Sequence, residues 1–172
     1  AGIDVDEIGR IVCGAGPGSF TSLRIAGAIA KGVAAGTGRP LYAVPSMALL
    51  VGGAHAGTGR YLAAVDALRG EAYVGLYDVA ADGGIAEVEP ARLVAVESVS
   101  VLAAEHGAKI VSPMSTIADI VASPKARAVA LLGALLDSRG PVDLARWEPA
   151  YGRLAEAQVK WESAHGRPLP TG

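Results

Sequence analysis

From Phe20 to Gly36 the sequence carries only two charged residues, Arg24 and Lys31. The rest is Ala, Gly, Ile, Val and Leu apart from Phe20, Thr21 and Ser22. Ser19 or Thr21 can cap a helix there by accepting a free backbone N–H, and Gly36, Gly38 and Pro40 stop it. At about 100° per residue, Leu23, Ala26, Gly27, Ala30 and Ala34 share one side, and Ile25, Ile29 and Val33 share another. A helix this apolar cannot leave one side in water, so one face must meet a sheet. The small-residue face would let a second helix approach closely and gain dispersion contacts along its length. Periodicity does not decide whether that second helix belongs to this chain or to a partner.

The flanking sequence supplies the sheet. Ile8–Cys13 reads as a short buried strand, followed by the tight loop Gly14-Ala-Gly-Pro-Gly-Ser-Phe-Thr21. Leu41–Val44 reads as a second buried strand and Pro45–Ala54 as a short helix. The Gly-rich turn at 55–59 is the expected boundary between a first lobe, 1–57, and a second, 58–172, that ends in a polar tail. In the second lobe, strands are expected at 61–65, 72–79 and 87–96, the last broken by Pro90. A helix follows at 98–105, a strand at 109–111, and a second long helix at 124–137 capped by Ser123. The short turns between strands predict an antiparallel arrangement. The segment 113–122 fits helix and strand equally. The tail from Tyr151 to Pro170 is polar and ends in prolines, so it is expected to be loosely held alone and to form a short helix at 155–163 on a partner. The fold class is α/β in mixed layers.

Composition narrows the function. The chain is 51% hydrophobic, enough for a core, yet its formal net charge is −2 and no basic stripe is visible, which argues against an unaided grip on nucleic acid. No apolar run reaches the ~20 residues of a membrane-spanning helix. A single cysteine, Cys13, can form no internal disulfide, which fits a reducing, cytoplasmic setting. His55, His106 and His165 lack metal-ligand spacing, so no metal site is expected. Cys13 is a better buried hydrophobe than nucleophile. Gly16, Pro17, Gly18, Ser19 and Thr21 invite comparison with a phosphate loop. No Walker lysine follows Gly18, and no acidic residue stands where a dinucleotide fingerprint requires one. Sharp turning and close packing explain the glycines better. Asp66, Arg69 and Glu71 crowd one turn, where Arg69 between two carboxylates reads as a hydrogen-bonded fork.

Three segments resemble a known family. Gly16-Pro-Gly-Ser-Phe-Thr-Ser-Leu-Arg-Ile25 with Ala30-Lys-Gly32 resembles the G-P-G-S-F-T-G-L-R-I…A-K-G signature of the TsaB (YeaZ) family. Asp66-Ala-Leu-Arg-Gly-Glu-Ala-Tyr73 resembles its D-A-R-x-G-E-V-Y segment, and Pro149–Pro170 resembles the C-terminal signature of some members. Ser22 stands where the family usually has glycine. The resemblance implies an actin-like/Hsp70-like ATPase (ribonuclease H-like) fold in two lobes. It also implies that the family's opening strands, about two or three with a helix, precede the segment beginning at Ala1.

For function, the resemblance implies a non-catalytic scaffold in making threonylcarbamoyladenosine beside the anticodon of tRNAs reading ANN codons. The implied partners are a catalytic TsaD-like subunit and a TsaE-like ATPase, with a homodimer when alone and tRNA met only through the complex. The implied partner interface is the face of Leu23, Ala26, Gly27, Ala30 and Ala34. No intrinsic cofactor is implied, and a nucleotide at the partner interface is left open. The competing readings are an ATP-binding enzyme of the same fold using the Gly14–Thr21 loop, and a self-associating protein with no tRNA role. Co-purification with a TsaD-like subunit against ATP turnover alone separates them.

Overall fold

A computed structural model of the chain describes residues 4, 7–55, 57–151 and 165–166. The expectations for the tail beyond Tyr151 lie outside these residues, apart from the pair at 165–166.

Strand β1 (Ile11–Gly14) leads through the glycine loop into helix α1 (Phe20–Thr37), then strand β2 (Leu41–Val44) and helix α2 (Ser46–Gly53). Strands β1 and β2 pair in parallel, Ile11 opposite Leu41 and Gly14 opposite Val44. Helix α1 ends where Gly38 takes the left-handed conformation, φ 65° and ψ 16°, a cap that costs a glycine nothing. A second sheet holds β3 (Gly59–Asp66), β4 (Glu71–Val79), β5 (Ile85–Ala95), β6 (Lys109–Ser112) and β7 (Ile120–Val121), in the order β5-β4-β3-β6-β7. Helix α3 (Val99–Glu105) stands between β5 and β6, and α4 (Gly133–Arg139) follows the sheet.

Three expectations change. The antiparallel arrangement covers β3, β4 and β5 only, because β6 pairs in parallel with β3 and with β7. The chain reaches β6 through α3, and a parallel neighbour needs such a crossover. Pro90 does not break β5. The strand lies at the sheet edge, and Val74 opposes Arg92 while Leu76 opposes Glu89, which leaves Pro90 and Ala91 in a bulge. Edge strands and bulges are where a residue without an N–H fits. The long helix at 124–137 is two pieces, a 3-10 turn at Ala126–Leu131 and α4. Leu132 between them leaves helical geometry at φ −104°, ψ 19° and is fully buried. Core packing of that side chain overrides local propensity.

The core lies around α2. Its residues Met47 through Gly52 are all buried, and they share a cluster with Tyr61, Ala63, Tyr77, Val111 and Leu132 from the large sheet and the segment after it. The opposite face of that sheet packs Leu62, Val74 and Leu76 with Val99 and Ala103 of α3. Close packing at α2 depends on glycine. A Cβ on Gly52 would stand 2.7 Å from Ala128 Cβ and 3.1 Å from Ile85 Cδ1. Gly52→Ala should therefore destabilise the fold by about 1–3 kcal/mol through overpacking. Gly36→Ala, where a Cβ meets nothing within 4 Å, should stabilise α1 by about 0.4–1 kcal/mol. Urea unfolding of both variants checks the pair, and shifts of the same sign would refute it.

Candidate functional site

The glycine loop is sewn into the fold by its own backbone. Ala15 N–H donates to the Val44 carbonyl at 2.7 Å, and Gly16 N–H donates to Ser46 Oγ at 3.0 Å. Ser46 N–H returns a bond to the Gly16 carbonyl at 2.9 Å, and Ala150 N–H donates to the Ala15 carbonyl at 2.7 Å. Gly16 has φ +100°, and a Cβ there would lie 2.2 Å from the Ala150 carbonyl oxygen. The N–H groups at 15 and 16, which a phosphate cradle would aim at a ligand, thus bond to the protein itself. Gly16 and Pro17 are buried, whereas Gly18, Ser19 and Thr21 are exposed. Ser19 stands at the N-cap of α1 without a side-chain cap bond, and Thr21 lies inside the helix.

The small-residue face of α1 meets this chain, not open solvent. Leu23, Gly27, Ala30 and Ala34 are buried, and Ala26 is exposed. Ala30 and Ala34 pack with Cys13 and Leu41 beneath and with Val142, Leu144 and Trp147 beside them. A Cβ on Gly27 would lie 3.0 Å from Pro149 Cγ and 3.7 Å from Trp147 Cζ3. Residues 142–151 run back along the helix, held by Val142 N–H to the Leu41 carbonyl at 2.8 Å and Lys31 Nζ to the Trp147 carbonyl at 2.8 Å. The assignment of that face to a partner is therefore corrected: close approach does occur there, but the approaching backbone is the chain's own. The uncovered face is the other one, with Ile25 57%, Ile29 62% and Val33 41% exposed.

At the β3–β4 turn, Leu68, Arg69 and Gly70 all have positive φ, 63°, 58° and 77°. Asp66 Oδ1 accepts from the Leu68 N–H at 2.7 Å, which fixes the turn from its first residue. One oxygen of the Asp66 carboxylate is thus committed to the backbone of the turn. Burial pushes the Cys13 thiol pKa up, which disfavours the nucleophilic thiolate. Among the described residues no group of three or more His, Cys, Asp or Glu could hold a metal ion, and no helix is long and apolar enough to cross a membrane.

Sequence reasoning missed a groove beside α1. It has a volume of about 420 Å3 and runs between Phe20, Arg24 and Lys31 of the helix and Trp147, Glu148 and Tyr151 of the returning segment. The Phe20 and Tyr151 rings lie 4.7 Å apart at 48°, and the Arg24 guanidinium carbon is 5.5 Å from the Phe20 ring centre.

Comparison with known proteins gives the chain its place. Residues 1–144 match the sequence profile of the family described as TsaD: tRNA N6-adenosine threonylcarbamoyltransferase. A Bacillus subtilis protein named tRNA threonylcarbamoyladenosine biosynthesis protein TsaB is 28% identical over 90% of this chain and 74% of its own length. The chain belongs to the TsaB (YeaZ) family. The Escherichia coli TsaB is 38% identical over a shorter stretch, 45% of this chain and 34% of that protein. A Pseudomonas aeruginosa protein described as similar to peptidase YEAZ superposes with a TM-score of 0.69 at 25% identity, covering 88% of this chain and 77% of its own. YeaZ from Pseudomonas aeruginosa superposes at 0.68 and 24% identity over 87% and 77%. The fold is that of the actin-like ATPases.

Proposed function

We infer that this chain serves the biosynthesis of threonylcarbamoyladenosine in tRNA as a protein-binding subunit that does not itself carry the chemistry. The observation that carries this reading is the similarity, along nearly its whole length, to a protein named for that pathway. In this reading the chain pairs with a TsaD-like catalytic subunit in the cytoplasm, the pair engages a TsaE-like ATPase, and two copies pair when no partner is present.

The strip of Ile25, Ile29 and Val33 supports a docking role. These residues follow one another at four-residue spacing on α1, so their side chains form a continuous apolar band. Single exposed apolar residues are ordinary, but a contiguous band marks an interaction surface. The band lies on the same helix whose other face is already occupied by the chain itself.

The test is titration of wild type and Ile29→Asp against a TsaD-like subunit, with rescue of a strain lacking its own TsaB. The aspartate should leave the melting curve unchanged because the side chain is exposed. Affinity should fall about tenfold to a hundredfold, equivalent to about 1.4–2.8 kcal/mol. Unchanged affinity would remove the band from the interface. Failure of the wild-type chain to rescue the strain would overturn the functional reading.

A further inference from the structure

The groove beside α1 has a composition unlike the rest of the molecule. The chain has few aromatics, yet its single Phe, one of its two Trp and Tyr151 line this one exposed groove. Phe20, Arg24 and Lys31 follow one another along one flank of α1, and between the two cations the small residues Gly27 and Ala28 line the groove, Gly27 beneath Pro149 and Trp147. Arg24 is exposed and its guanidinium lies over the Phe20 ring. Lys31 is anchored through one bond to the Trp147 carbonyl, and an ammonium has three donors, so this bond among the described residues uses one of the three. The lining holds no Leu, Ile, Val or Met, which an apolar peptide side chain would call for. It holds instead flat rings, two cations and one carboxylate, Glu148. In a chain of net charge −2 this is a local excess of positive charge.

Rings for stacking, a guanidinium for a phosphate, and a carboxylate to accept from an exocyclic amine are the groups that bind an unstacked nucleotide. We propose that the groove between α1 and residues 147–151 holds one unpaired nucleotide, its base against Phe20 and Tyr151, its phosphate on Arg24 and its exocyclic amine on Glu148. The proposal rests on the tRNA reading above and deepens it, because the chain then touches RNA directly. One such site on an acidic chain gives a weak grip, which agrees with the absence of a basic stripe.

The experiment is anisotropy of an end-labelled single-stranded heptamer of adenylate, titrated with the full chain at about 50 mM salt, where phosphate contacts are strongest. Phe20→Leu should weaken binding about five- to a hundredfold, the range of one lost base stack. Arg24→Gln should weaken it and lower the slope of log affinity against log salt by about one, a change that mere loss of packing would not produce. Melting curves confirm that the variants fold. Competition with AMP separates the two sources of such a nucleotide: displacement at matching concentration assigns the groove to free nucleotide, and resistance assigns it to a strand. No binding by wild type, or folded variants that bind as well as wild type, would overturn the proposal. RNA binding that persists while strain rescue fails overturns the tRNA reading alone. Rescue by a chain that binds no RNA overturns the groove alone.

Discussion

Leu50→Ala is expected to lower the free energy of unfolding by about 2–5 kcal/mol and Tm by roughly 5–20 °C. Leu50 lies at the middle of α2 with no exposure, and Met47 through Gly52 around it are also buried. The helix joins the small sheet to the large one in sequence, and its cluster takes in Val44 from β2 and Tyr61, Tyr77 and Val111 from the large sheet. Removing the isobutyl group loses its transfer free energy and leaves a void, and the helix has little room to shift into it, because even a Cβ on Gly52 or Gly53 would collide with Ala128 or Ser123. Leu50→Met, close in volume, should cost less than about 1.5 kcal/mol. Ile25→Ala, at a site 57% exposed, should change stability by no more than about 0.5 kcal/mol. Chemical denaturation of the three variants checks the order. A Leu50→Ala variant as stable as Ile25→Ala would mean that α2 is not the centre of the core.

Where local chemistry decides the structure, the sequence showed it. Gly38 past the end of an apolar run ends α1 within one residue of the position read from composition, because only a left-handed residue closes the helix there. The bounds of β2 were legible because an apolar run lies between Pro40 and Pro45. The break at Leu132 was not legible, since its one sequence mark is Gly133, and an isolated glycine inside a helical pattern is tolerated. Nor was the return of residues 142–151 along α1. The bond from Lys31 to Trp147 spans 116 positions, and Trp147-Glu-Pro-Ala150 has no helical or strand period to announce where it packs. That one omission reversed the faces of α1: the wheel showed two apolar sides, and the uncovered one is Ile25, Ile29 and Val33 because Trp147 and Pro149 claim the other. The same omission hid the groove, half of whose wall comes from the returning segment. At the β3–β4 turn the three successive positive φ angles of Leu68, Arg69 and Gly70 are a property of the folded turn that only Gly70 announces in the sequence.

Gly16→Ala is expected to unseat residues 147–151 from the start of α1. Two costs add at this position. A non-glycine residue held at positive φ costs of order 1–3 kcal/mol. Separately, the added Cβ would stand 2.2 Å from the Ala150 carbonyl oxygen and 3.2 Å from Leu23 Cδ1, so backbone must move. The nearest backbone free to move is Ala150, at the cost of its bond to the Ala15 carbonyl. The two effects together come to about 2–4 kcal/mol. They are expected to be relieved locally, since opening one peripheral segment costs less than unfolding the core. Tm should then fall by less than the sum implies, while protease cleavage after residue 140 should rise and heptamer binding should drop with the loss of the Trp147 and Tyr151 wall. Gly18→Ala is the control. A Cβ there meets only Leu23, at 3.9 Å, and the change should stay within about 0.5 kcal/mol on stability. A phosphate-binding loop predicts the opposite emphasis, since exposed Gly18 would be the residue closest to a ligand and Gly16 merely one of its supports. Equal effects of the two substitutions on cleavage and RNA binding would show that the loop does not hold the returning segment in place.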